Sequence, residues 1–377
     1  MSDENRTVLN PGEKVQPEID KEEARRLVYR LYGLSVIRVE ELNSYDDKNF
    51  HLHVDSSTSG DVKLPEEGYV LKILNSLDSR FPEAIDAQNR LILHVANNGI
   101  RTSCPVPNLC NELWSSEQLD SSDSKYIVRL FTFVPGQVFV GIRYTASLVH
   151  SVGKLAGKLD AACLEYDDKA FTDHKRIWSL TEVPKLTKFL TCLKEEEKRQ
   201  SVLSVIKQFN DSVVSSYSKL KTGVIHGDLS DHNILITPST SSADDYEVAG
   251  FLDFGDATVA YYVFEIAILM CYILLGAGEE DDPFELAGHA LAGYLSEFPL
   301  PAMDLSVLKI CISARMVQSL VMGAYTASVQ PGNTDYVLNT QNKGWMLLHE
   351  FNAKSDSGVF DLWERILLEY GLKFGFR

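Results

Sequence analysis

The segment His226-Gly227-Asp228-Leu229-Ser230-Asp231-His232-Asn233-Ile234-Leu235-Ile236 sets a carboxylate, Asp228, five positions before a carboxamide, Asn233. Both stand on a short polar stretch that runs into an apolar strand. Twenty residues past Asn233 comes Phe251-Leu252-Asp253-Phe254-Gly255-Asp256, an acid leaving a second apolar strand. In this order the two patterns supply what phosphoryl transfer to a hydroxyl requires: a base beside the acceptor and hard oxygen ligands for Mg²⁺. A hydroxyl is a poor nucleophile, so it must be placed in line with the γ-phosphate and lose its proton as the new bond forms. Asp228 is the candidate base, and Asn233 and Asp253 are the candidate metal ligands. His226 is expected to brace the loop by hydrogen bonds. Alone, H-G-D is a common turn and D-F-G says little more; the information lies in their order and in their strand-end positions.

The donor side needs a cation on the phosphates. Lys72, in Val70-Leu71-Lys72-Ile73, is the candidate, although a lone strand lysine is ordinarily a solvated edge residue. Such a lysine needs a helix carboxylate to hold it, and Glu83 and Asp86 both offer one. No G-x-x-x-x-G-K-[ST] or G-x-G-x-x-G occurs, which excludes a Walker site, and residues 44–49 hold no glycine. Backbone amides with Ser44 or Asn49 are therefore expected to cap the phosphates. Residues 130–134, entering Pro135-Gly136, read as the segment beside the nucleobase, with Phe131 and Phe133 on it.

Around the acceptor, Asp231, Asp256, Glu265, Tyr261 and Tyr262 bring acids and phenols near the base, which suits a substrate carrying ammonium groups. Glu265 and Arg315 are charges inside otherwise apolar helical stretches, where they are costly unless used. Arg315 could grip a substrate carboxylate bidentately; a buried structural ion pair is the competing reading for both. Trp178 and Trp345 read as pocket walls or as core.

Several elements must position these residues. Residues 1–17 read as a flexible polar tail. Asp20-x-x-Glu23 is a capping box opening a helix to Tyr32, stopped by Gly33. Strands are expected over 36–42, 50–54, 69–73 and 125–133, with a helix over 82–98 closed by Gly99. That pattern is a small antiparallel lobe with one helix. From Ala146 onward helical periods dominate, broken by the strands at 224–236 and 248–252 that carry the motifs. The polar run 238–245 reads as a hairpin loop. Residues 260–278 form an apolar run of about membrane length. Glu265 lies inside it and the Asp253 loop directly precedes it, so a central helix buried all round is expected.

The chain has 377 residues, 45% hydrophobic and 24% charged, with a net charge of −17. Such a composition supports a packed core, and its charge disfavours nucleic acid and anionic lipid as partners. The six cysteines are scattered without a C-x-x-C pair, as expected of reduced thiols in a cytosolic protein. The N-terminus lacks the character of a signal or transit peptide.

These motifs resemble the aminoglycoside phosphotransferase family, which also contains choline, homoserine and similar small-alcohol kinases. H-G-D and D-F-G belong to the whole superfamily. More particular are Ser44-Tyr45-Asp46-Asp47-Lys48-Asn49-Phe50, the 228–236 and 252–256 segments, Tyr261-Tyr262-Val263-Phe264-Glu265 and Gln318-Ser319-Leu320-Val321-Met322. The similarity runs from about Glu18 to the last helix. It implies an α+β, protein-kinase-like bilobal fold, with a small β lobe over 18–134 and a larger, mainly helical lobe over 135–377. It also implies Asp228 as base, Asn233 and Asp253 as metal ligands, and Asp86 as the partner of Lys72. The particular segments point to a branch that uses Mg²⁺ and GTP, with ATP left open by the residues themselves. The acceptor it implies is the 5-hydroxyl of 5-hydroxy-L-lysine, in lysine and collagen catabolism in the cytoplasm. Two amines would suit the acids, and one carboxylate an arginine. Another amino alcohol, such as homoserine or ethanolamine, is the alternative acceptor. An inactive nucleotide-binding module of the same fold is the alternative class, against which the intact Lys72, Asp228, Asn233 and Asp253 argue. The sequence does not fix an oligomeric state.

Overall fold

The computed structural model describes residues 15–44, 46–55, 65–119, 124–173, 176–239, 245–329 and 341–376. It divides after Pro135 into two compact units.

The first unit opens with helix α1 (Lys21–Tyr32). Asp20 accepts from the Glu23 amide, Glu23 accepts from the Asp20 amide, and Gly33 closes the helix at φ 68°. Such a cap is worth about 1 kcal/mol. An antiparallel sheet follows: β1 (Val36–Leu42), β2 (Lys48–Val54), β3 (Tyr69–Ile73), β4 (Pro105–Val106), β5 (Ser115–Glu117) and β6 (Tyr126–Thr132). Its order is β1-β2-β3-β6-β4, with β5 also pairing β6. The strand period of two decides the faces. Tyr69, Leu71 and Ile73 point into a core with Val28, Phe50, Leu52, Val128 and Leu130, so Lys72 lies on the other face. There Lys72 stands between Asn49 on β2 and Arg129 on β6. Helix α2 (Pro82–Asn97) begins on Pro82 and is bonded to this face through Arg129 Nη1 and Asn89 Oδ1, 3.2 Å apart. The two-residue β4 and three-residue β5 are too short to show a period in sequence. The polar tail expected over 1–17 does not reach Pro17. Val15 is buried and its carbonyl accepts from Ser76, while Gln16 Nε2 donates to the Asp47 carbonyl. The first 14 residues lie outside the described set.

The second unit carries β7 (Gln137–Val138), α3 (Ala146–Cys163), α4 (Ala170–Asp173), a 3-10 stretch at Leu180–Cys192 and α5 (Glu196–Ser212). Next come β8 (Thr222–Ile225), β9 (Ile234–Pro238), β10 (Tyr246–Phe251) and β11 (Thr258–Tyr261). The chain ends with α6 (Tyr262–Gly276), α7 (Pro283–Glu297), α8 (Ala302–Ser306), α9 (Leu308–Val329), α10 (Gln341–Ala353) and α11 (Asp356–Glu369). The β10-β9-β7 and β11-β8 ribbons are both antiparallel. The expected hairpin across 238–245 is formed by β9 and β10, and its tip, 240–244, lies outside the described residues. Helix α6 is buried on every side from Tyr262 to Cys271. Each of its larger side chains removed from water contributes about 1.5–3 kcal/mol. Among the described residues no helix is long and apolar enough to cross a membrane. The first two residues of the apolar run, Ala260 and Tyr261, belong to strand β11 rather than to the helix, because so short a stretch flowing into a helix shows no separate period.

Candidate active site

The loop joining β8 to β9 carries the first motif, and its backbone is fixed from beneath. Glu265, in the first turn of α6, accepts the His226 amide on Oε1 and the Gly227 amide on Oε2, each at 2.9 Å. Glu265 is fully buried. His226 Nε2 lies 2.9 Å from the Leu252 carbonyl and Nδ1 accepts from the Asp228 amide at 3.3 Å. A carbonyl only accepts, so the ring proton sits on Nε2. His226 therefore ties the Asp228 loop to the strand end that carries Asp253, the bracing role expected of it.

Gly227 stands at φ 80°, and a Cβ there would lie 2.5 Å from the Asp256 carbonyl oxygen. Gly227→Ala is expected to lose roughly 1–3 kcal/mol of stability from backbone strain alone. It also pushes the two acidic loops apart, so turnover should drop by more than tenfold, read from a urea titration alongside steady-state rates.

The Asp228 carboxylate is held at both oxygens. Arg315 Nη2 donates to Oδ1 at 2.5 Å, and Asn233 Nδ2 donates to Oδ2 at 2.7 Å and to the Asp228 carbonyl at 2.9 Å. Its side chain keeps 23% exposure, enough for a substrate hydroxyl to reach it. Burial pushes the Asp228 carboxyl above the usual range; Arg315 pulls it back, and Asp253 and Asp231 push the same way as burial. Asp253 caps the turn Phe254–Asp256 at φ 54°, accepts from the Gly255 amide at 3.1 Å and is exposed. A non-glycine residue in the left-handed region is uncommon and aims the side chain where regular backbone would not. Asp256 pairs with Arg176 at 3.1 Å, and Arg176 also donates to the Gly255 carbonyl at 2.9 Å. Burial raises Asp256 too; Arg176 opposes it, and Asp228 and Asp253 add to it.

A crowd of mutually repelling carboxylates beside a carboxamide is a donor set for a hard cation. Both side-chain hydrogen bonds of Asn233 use its Nδ2, and among the described residues its Oδ1 accepts none. That leaves an oxygen for a metal on the loop side. No group of three His, Cys, Asp or Glu residues forms a metal cage among the described residues. Mg²⁺ requires none, because it takes one or two carboxylates together with substrate phosphates.

Four residues expected at the acceptor are placed elsewhere. Glu265 is 0% exposed with both oxygens turned to backbone amides, so a substrate ammonium group cannot reach it. Arg315 is 1% exposed and grips Asp228, the Trp178 carbonyl at 3.0 Å, Gln318 Oε1 at 3.0 Å and Tyr272 OH at 3.2 Å; a substrate carboxylate cannot reach it. Tyr261 pairs with Thr222, at the opposite end of β8 from the loop, and stacks on Tyr217 at 4.5 Å. At about 3.3 Å per strand residue this is roughly 13 Å short of His226. Tyr262 is buried and packs on Phe298. Asp231 stays beside the loop: its carbonyl accepts from Phe139, and its charge raises the buried Tyr144, after burial itself. Of the two tryptophans, the Trp178 ring lies 5.3 Å from the Arg315 guanidinium, and Trp345 bonds Gln341 within α10. Sequence reasoning missed Arg176 and Tyr272, and quoted Gln318 only within a segment of resemblance, with no role. Gln318 stands three residues after Arg315, a same-face helical spacing that could have flagged it; Arg176 and Tyr272 carry no such signal.

In the first unit, Lys72 Nζ lies 3.4 Å from Asp47 Oδ2, both side chains largely buried. This replaces the expected pair with Asp86, which instead accepts the Trp114 indole N–H at 2.7 Å, while Glu83 is exposed. Asp86 is short for the reach from a helix to the strand. Asp47 precedes by two residues the Asn49 that faces Lys72, and it is fixed by the backbone and side-chain amides of Asn75 at 2.9 and 3.0 Å. Ser44 Oγ donates to the Asp47 carbonyl, so Ser44 shapes this loop. Phe131 is buried with the Arg129 guanidinium 5.0 Å from its ring. Phe133 stacks on His51 at 3.8 Å, and its amide donates to the Gly68 carbonyl.

A small antiparallel unit bearing a paired lysine and a helical unit bearing the Asp228, Asn233 and Asp253 loops together define a phosphotransferase of α+β, protein-kinase-like fold. Residues 40–304 match the phosphotransferase enzyme family. The chain is 33% identical to the hydroxylysine kinase of Mus musculus, over 92% of this chain and 93% of that one. It is 34% identical to the hydroxylysine kinase of Bos taurus, again over 92% and 93%. The chain belongs to the phosphotransferase enzyme family and is a phosphotransferase with an alcohol acceptor. Among solved structures it is similar to an amicoumacin kinase in complex with AMP-PNP and Ca²⁺, at a TM-score of 0.64 and 18% identity over 88% of this chain and 94% of that one. A microcompartment-associated aminopropanol kinase gives a TM-score of 0.56 and 17% identity over 94% and 99%. At such identities the likeness concerns the fold.

Proposed function

We propose that this enzyme transfers the γ-phosphate of a Mg²⁺-nucleoside triphosphate, GTP in preference, to the 5-hydroxyl of 5-hydroxy-L-lysine. The observation that carries the chemistry is the Asp228 carboxylate, fixed at both oxygens on a braced loop yet open to a small alcohol. The substrate class is supported by the similarity to hydroxylysine kinases along nearly the whole chain. Asp228 orients the acceptor hydroxyl and takes its proton as the oxygen attacks phosphorus. Asn233 Oδ1 and the Asp253 carboxylate would hold Mg²⁺. When bound, the ion neutralises charge on the transferring phosphoryl oxygens. Lys72, oriented by Asp47, meets the donor phosphates; Asp86 and Glu83 drop out of that role, and Asn49 stays beside Lys72. With Glu265, Arg315 and Tyr261 engaged elsewhere, Asp231 is the acid left to receive a substrate ammonium group, and Asp256 would have to share its carboxylate with Arg176. The acidic surface and scattered thiols suit a reducing cytoplasm.

The test is nucleoside diphosphate release with Mg²⁺, using GTP and ATP in parallel over 5-hydroxylysine, lysine, homoserine, ethanolamine and choline. Release with hydroxylysine and none above background with lysine is expected. Turnover confined to another alcohol would discard the named acceptor and keep the chemistry.

A further inference from the structure

Arg315 has no solvent to neutralise it and no substrate within reach, and a buried guanidinium is costly without an anion. Its contacts are of two kinds. Nη2 meets Asp228 Oδ1 at 2.5 Å, and Tyr272 OH lies 3.2 Å from the same nitrogen. Nη1 meets the Trp178 carbonyl and Gln318 Oε1, each at 3.0 Å. Gln318 in turn donates to the Ile177 carbonyl at 2.8 Å and the Ser179 carbonyl at 3.1 Å. One turn of α9 thus clamps residues 177–179, and the neighbouring Arg176 reaches Asp256 and the Gly255 carbonyl. The guanidinium plane is set by three partners that do not belong to the catalytic loop, and the remaining interaction fixes one Asp228 oxygen. Asn233 fixes the other.

We infer that Arg315 is a positioning residue for the transfer reaction: it orients the Asp228 carboxylate toward the acceptor hydroxyl from a frame built by Gln318, Tyr272 and the 177–179 turn. This rests on the phosphotransfer reading above and assigns the site a part that neither motif contains. Lysine can substitute only in part, because a single ammonium keeps the charge beside Asp228 but cannot span Asp228, Trp178, Gln318 and Tyr272 in one plane. A carboxylate left to rotate loses the aligned geometry on which proximity effects depend, and misplacement by about 1 Å costs on the order of 100-fold in rate.

The experiment compares wild type, Arg315→Lys, Arg315→Met, Asp228→Asn and the Asp228→Asn/Arg315→Met pair, each checked for folding by circular dichroism and thermal melting. Expected are a kcat lowered about 100-fold in Arg315→Met and partly restored in Arg315→Lys, with nucleotide KM moving less than about threefold. In the Asp228→Asn background, Arg315→Met should lower kcat no further, because its effect runs through that carboxylate. Unchanged kcat in Arg315→Met would overturn the assignment. So would the same proportional loss in both backgrounds, the mark of a merely structural residue. If wild type turns over no alcohol in the panel, the acceptor reading fails separately, and the slow transfer of phosphate from GTP or ATP to water serves for the same comparison. There too, equal losses in both backgrounds reject the inference and non-additive losses uphold it.

Discussion

Asp228→Asn is expected to lower kcat about 10³-fold, the contribution usual for a general base, while fluorescent-nucleotide binding changes by less than about threefold. The substitution keeps the shape of the side chain and removes its charge. Of its two terminal atoms one becomes a donor, facing either the Arg315 guanidinium or the Asn233 Nδ2, so one of the two fixing hydrogen bonds is lost. That loss costs about 1–3 kcal/mol of stability, offset in part because burial disfavours the native charge. A thermal melt beside single-turnover measurements separates the two effects. A variant that keeps turnover within tenfold of wild type would remove Asp228 from the role of base.

Glu265→Ala is the second large effect, and it acts through the backbone of the Asp228 loop. It leaves the buried His226 and Gly227 amides without an acceptor. Each orphaned donor costs about 1–3 kcal/mol, so a loss of roughly 2–6 kcal/mol is expected in urea unfolding, a large share of a typical 5–15 kcal/mol. Whatever remains folded should turn over at least about 100-fold more slowly, since the loop carrying Asp228 is no longer fixed to α6. Glu265→Gln keeps one acceptor and sets its NH₂ against the other amide, so an intermediate loss is expected. Near wild-type stability and rate in Glu265→Ala would mean that the loop is held by other contacts.

How far the sequence reached follows from what each signal encodes. The capping box at Asp20, the alternation of Tyr69-Val70-Leu71-Lys72-Ile73 and the period of α2 are local patterns, and each element formed as read. Strands β4, β5 and β11 are two to four residues long and carry no period of their own. In the site, the convergence of Asp228, Asn233 and Asp253 is legible because their spacing is itself the signal. The charges inside apolar helices were correctly singled out as used, but sequence cannot say by what. Glu265 meets backbone amides 39 and 38 residues away, and Arg315 meets Asp228 from 87 residues away. Nothing in a linear pattern separates such a brace from a substrate contact. The Lys72 partner was misread for a related reason. The helix carboxylate was expected by analogy, whereas the Asn75 amides fix Asp47, from the β1–β2 loop, beside the lysine.

The central claim is that this site moves a phosphoryl group onto an alcohol of an amino acid, using Asp228. The most direct measurement is the mass spectrum of the products formed from Mg²⁺-GTP with 5-hydroxylysine or lysine, by wild type and by Asp228→Asn. The account predicts one added phosphoryl group on hydroxylysine with wild type, none on lysine, and a trace at most with the variant. Phosphorylated lysine, or equal product from wild type and variant, would contradict it.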